Sequence, residues 1–153
     1  MYRVTFLNAW LLCGTLDALY ATILAAVRGG EMAKVWTGVA SGPFGDSANS
    51  WGAGGVLTGL SVHFAIMAVM VAVGLWLARK TPLGEVAPWK SGTFYGLVLY
   101  GLMYGIVLHA RFGVPFPNPD RIKLILGLFP HIFIVGIPIF IFAKRAMNTS
   151  ARA

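Results

Sequence analysis

Charge is scarce in this chain. Only 11% of its 153 residues are Asp, Glu, Lys or Arg, where ordinary soluble domains carry roughly 25%. Acidic residues are the scarcest, five against twelve basic ones. With 58% of the residues hydrophobic, so few charges cannot cover a water-soluble surface, and the chain reads as a membrane protein. A single cysteine, Cys13, excludes an internal disulfide. It lies inside an apolar run, where a thiol serves as a small packing residue. There is no nucleophile elbow, no HExxH, no phosphate-cradling glycine loop and no paired carboxylates, so nothing points to an enzyme. The net charge of +7 is not a nucleic-acid signature either. The basic residues sit in short flanks between apolar spans, where they set orientation and meet anionic lipid headgroups.

What is present is long and apolar. Runs with hardly a charge cover about Thr5–Val27, Gly54–Ala78, Gly92–Ala110 and Leu124–Ala143. Each is near the ~20 residues a helix needs to cross a bilayer. Without water, backbone polar groups must be satisfied within the segment, so these runs must be helices. Residues 1–153 thus form one transmembrane domain, an all-α integral membrane four-helix bundle whose helices contact the lipid bilayer directly. The first run is longer than a signal-peptide core and carries Asp17 at its middle, so it reads as a retained helix.

Arg3, Arg79, Lys80, Lys90, Lys144, Arg145 and Arg152 flank one side of these spans, seven residues in all. Arg28, Lys34, Arg111, Arg121 and Lys123 flank the other, five in all. The richer side is expected to be cytoplasmic, which places both termini inside. In the first loop Met32, Val35, Trp36, Val39 and Ala40 repeat at helical spacing and predict a short amphipathic interfacial helix, with Trp36 at the headgroups.

Four ionisable groups interrupt the spans: Asp17, His63, His109 and His131. Such groups are expensive in hydrocarbon and by default mark function. Counting ~1.5 Å per residue from the inner span ends puts Asp17 and His131 about 18 Å deep and His63 about 22 Å. His109, at about 27 Å, falls near the outer boundary. The sequence therefore predicts an Asp17–His63–His131 cluster, with His109 as an outer outpost. Three readings of it stand side by side. One is a path or sensor for protons, ions or a small solute. Another is a transition metal or haem held by His63 and His131, with Asp17 as a further ligand or orienting group, though the sequence requires no cofactor. The last is a satisfied Asp–His pair in a structural or lipid-interacting protein.

Each histidine follows a glycine by four residues: Gly59 and His63, Gly105 and His109, Gly127 and His131. With Gly55 and Gly101 these glycines predict close helix–helix faces, since residues four apart share one side of a helix. Gly92 and Gly96 lie on another side of the third span and leave room for a neighbouring helix or a homo-oligomer.

The stretches Gly14-Thr15-Leu16-Asp17, Val39-Ala40-Ser41-Gly42 and Gly59-Leu60-Ser61-Val62-His63-Phe64 resemble a group of small bacterial inner-membrane proteins of unassigned function. The resemblance covers about the first half of the chain, with His131 and Gly136 similar further on. It implies location in the bacterial inner membrane and carries no activity with it.

Overall fold

The computed structural model describes residues 2–150. Met1 and Arg152, which enter the domain bounds and the charge count above, lie outside the described residues. The chain is all-α and an integral membrane protein. Helix α1 covers Tyr2–Val27 and α2 covers Met32–Phe44. A 3-10 turn at Asp46–Ser50 leads into α3, Gly52–Lys80. Helix α4 runs over Pro88–Phe112 and α5 over Arg121–Thr149. Among the described residues, α1, α3, α4 and α5 are the four helices long and apolar enough to cross a membrane.

Each helix stops where the chain offers an alternative partner for its end groups. Gly29 turns the chain after α1 with a φ of 72°, a left-handed conformation that glycine adopts without a Cβ clash. Pro88 opens α4, where a missing N–H costs nothing. Asp120 caps α5 by accepting from the backbone N–H of Ile122 at 2.9 Å and of Lys123 at 3.3 Å.

Both α4 and α5 contain a wider, π-helical stretch, at Gly101–Val107 and Pro130–Gly136. Pro130 lacks the N–H that would continue the α ladder, and the N–H of Ile137 bonds instead to the carbonyl of Ile132. The stretch in α4 contains no proline.

Two compact units are built from these helices, and each stands on its own contacts. One comprises Met1–Cys13 and Met70–Ala153, the other Gly14–Val69. In the first, α4 and α5 touch backbone to backbone. A Cβ on Gly92 would meet the main chain of Ile137 and Gly136, and one on Gly96 would meet the carbonyl of His131. This close approach is how membrane helices associate, since lipid supplies no hydrophobic drive between them. Tyr95 locks the same region by donating to the carbonyl of Met70 at 2.6 Å, and Ile139 and Phe140 fill the core beside it.

In the second unit α2 lies against α3. Gly59 receives the carbonyl of Trp36, and Gly55 receives Thr37 and the carbonyl of Ala48. Trp36 is 6% exposed, and its ring turns inward onto α3, edge-on to His63. The glycine faces of α3 thus serve the first loop. Gly101 has open space around it, because it lies one residue around the helix from the Gly92–Gly96–Tyr100 line. Gly105 faces the ring of Phe116, and Gly127 faces Tyr100 and Tyr104.

Candidate functional site: a locked histidine against an intramembrane carboxylate

The structure brings Asp17 and His63 together within one unit. Nδ1 of His63 stands 3.9 Å from Oδ2 of Asp17, with side-chain exposures of 11% and 24% respectively. The other ring nitrogen, Nε2, is 2.9 Å from the carbonyl oxygen of Gly14. A carbonyl can only accept, so Nε2 carries a hydrogen and donates it.

That bond decides the chemistry of the opposite edge. A neutral imidazole with its hydrogen on Nε2 presents a lone pair at Nδ1, and an ionised carboxylate presents only lone pairs as well. Two acceptors facing each other at 3.9 Å in a low-dielectric setting repel. The Nδ1 edge of His63 thus faces the Asp17 carboxylate across 3.9 Å. At 3.9 Å the separation exceeds hydrogen-bond length, so a small movement or a bridging water would complete the link.

Several sequence features build this arrangement. Gly14 leaves room for the Phe64 ring, which would stand 2.7 Å from a Cβ at that position. Phe64 in turn packs edge-on to His63 at 5.3 Å between centroids. Trp36 covers the imidazole from α2, also edge-on, at 5.5 Å. Gly59, one turn from His63, is what lets α2 come close enough to do so.

His131 sits in the other unit with partners of its own. Its Nδ1 donates to the carbonyl of Gly127 at 2.8 Å. Tyr100 and Tyr104 stack on each other at 4.6 Å and meet the His131 ring edge-on at 5.8 and 5.9 Å. The hydroxyl of Tyr100 is buried and has no hydrogen-bond partner. His109 is exposed and donates to the carbonyl of Val114 at 2.9 Å, closing the end of α4 beside Gly113. Of the four residues expected in or near a cluster, the structure pairs Asp17 with His63; His131 and His109 make the contacts just given within their own unit.

Among the described residues, no group of three or more His, Cys, Asp or Glu gathers at metal-binding reach. The Gly14 carbonyl and the Trp36 cover are site members that sequence reasoning did not reach. A backbone carbonyl leaves no mark in side-chain pattern.

Four helices long and apolar enough to cross a membrane define a multi-pass integral membrane protein, and within it Asp17 and His63 stand side by side, part-buried. Over 88 residues the chain is 35% identical to an uncharacterized MFS-type transporter of Salmonella typhimurium. The match covers 56% of this chain and 21% of that transporter, so the chain spans about a fifth of the relative it resembles. No family model matches the chain, and no solved structure matches it.

Proposed function

We propose that this chain moves or senses protons, ions or a small solute in the bacterial inner membrane, with both termini cytoplasmic and the Asp17–His63 pair as its centre. One observation carries the reading. The bond from Nε2 of His63 to Gly14 directs Nδ1 at the Asp17 carboxylate, 3.9 Å away, and so creates a place for an exchangeable proton. The partial likeness to an MFS-type transporter agrees with transport.

The test is proton flux into liposomes that carry the purified protein and an internal pH-sensitive dye, driven by an imposed membrane potential. His63→Gln keeps an amide N–H for the Gly14 carbonyl but cannot titrate, and Asp17→Asn removes the carboxylate at constant shape. Each is expected to abolish the flux while the protein remains folded. Wild-type flux in both folded variants would sink the reading.

A further inference from the structure

A cleft of about 350 Å³ opens between the first turns of α1 and the last turns of α5. Val4, Thr5 and Asn8 line it from one side, and Phe142, Arg145, Ala146 and Thr149 from the other. All seven belong to the same compact unit. The spacing is i, i+1, i+4 on α1 and i, i+3, i+4, i+7 on α5, so the cleft lies between one side of each helix.

The lining divides by chemistry. Val4, Phe142 and Ala146 are apolar, whereas Thr5, Asn8, Arg145 and Thr149 bring hydroxyls, an amide and a guanidinium. Thr149 donates its own hydroxyl proton to the carbonyl of Arg145 at 3.0 Å, which keeps its oxygen at the cleft as an acceptor. No lining residue is acidic, and the Arg145 guanidinium has no carboxylate partner among the described residues. The surrounding helix ends repeat this imbalance. Arg3, Arg79, Lys80, Lys90 and Lys144 belong to helix ends of the same unit, with Glu85 the one described acid in the loop between α3 and α4. Lys144 is tied into the fold through the carbonyl of Gly84 at 3.0 Å.

Depth completes the picture. Arg145 lies two residues beyond the apolar run that ends at Ala143, and Phe142 lies one turn back inside that run. We infer that this cleft binds the phosphate of an anionic phospholipid, with Arg145 as the charged fork, Asn8 as a supporting donor, and Val4, Phe142 and Ala146 against the first methylenes of the acyl chain. Guanidinium matches phosphate in charge and geometry. A basic notch between membrane helices at the cytoplasmic face is the general form of such sites.

The experiment uses full-length protein in neutral detergent, followed by thermal unfolding and native mass spectrometry. Phosphatidylglycerol, phosphatidylcholine and inorganic phosphate are added in separate arms. Phosphatidylglycerol is expected to raise the unfolding temperature and to remain bound, while phosphatidylcholine does neither. Arg145→Gln should weaken phosphatidylglycerol binding about tenfold or more. Lys90→Gln, at the same membrane face but outside the cleft, should leave it unchanged. Arg145 is solvent-exposed, so its replacement leaves the fold intact. Equal effects of the two lipids, or an Arg145→Gln protein that binds like wild type, would overturn the proposal. Inorganic phosphate acting as strongly as the lipid would overturn the lipid assignment and leave a soluble-anion site.

Discussion

Replacing Gly96 with alanine tests the backbone-to-backbone contact of α4 and α5 directly. The added methyl carbon would sit 2.5 Å from the carbonyl oxygen of His131, 2.7 Å from Cα of Ile132 and 2.9 Å from the His131 carbonyl carbon. Ordinary non-bonded contact requires roughly 3.5 Å, so the helices must part by about 1 Å. Every atom in the way is main chain, and none can rotate aside. Parting also loosens Gly92 from Ile137 and Gly136, which share the contact. Overpacking of this kind costs about 1–3 kcal/mol.

Gly101→Ala supplies the reference. Gly101 has ordinary helical angles, φ −59° and ψ −43°, and nothing within 4 Å of a new Cβ. Both variants gain the same helix propensity, about 0.5–1 kcal/mol, so their difference isolates the packing cost. For a protein of this size the difference corresponds to roughly 2–12 °C in Tm, with Gly96→Ala the lower. The assay is built into the chain. Cys13, its one cysteine, is 0% exposed and belongs to the same unit, so a thiol-reactive dye reports unfolding there. Equal Tm values for the two variants would refute the close-approach argument.

Three further outcomes follow from the same geometry. Tyr100→Phe deletes a buried hydroxyl that has no partner and should leave stability unchanged or raise it by about 1–3 kcal/mol. Tyr95→Phe loses the bond to the Met70 carbonyl and should cost about 0.5–1.5 kcal/mol, so thermal unfolding should separate the two by sign. Gly59→Ala sets a methyl group against the Trp36 carbonyl. It should lift α2 off α3, speeding amide exchange across Met32–Phe44 at least tenfold for a loss of about 1.4 kcal/mol or more. Unchanged exchange there would mean that α2 does not depend on Gly59.

Composition and run length were enough to read the class of this protein. Backbone groups in hydrocarbon have no partner but each other, so every long apolar run had one outcome, a helix. The helices run past most ends of the apolar runs; the helix that contains Gly92–Ala110, for example, covers Pro88–Phe112. Hydropathy stops at the last apolar residue, whereas the hydrogen-bond ladder continues to the next proline, glycine or capping Asp. Asp17, His63, His109 and His131 stood out for a similar reason, the cost of ionisable groups in lipid.

Which residues meet was a different matter. Depth along a helix can be counted, but its rotation and its neighbour cannot. Asp17 and His131 share an expected depth, yet Asp17 faces His63 while His131 faces Tyr100 and Tyr104. Gly55 and Gly59 announced a close contact without saying that α2 would fill it, and Gly101 has nothing against it at all. The orientation of the His63 ring toward Asp17 depends on a carbonyl of Gly14, forty-nine residues away. One-dimensional pattern records what each side chain would cost in the membrane. Only packing in three dimensions decides which partner offsets that cost, because it depends on helix rotation and on backbone groups that every residue shares.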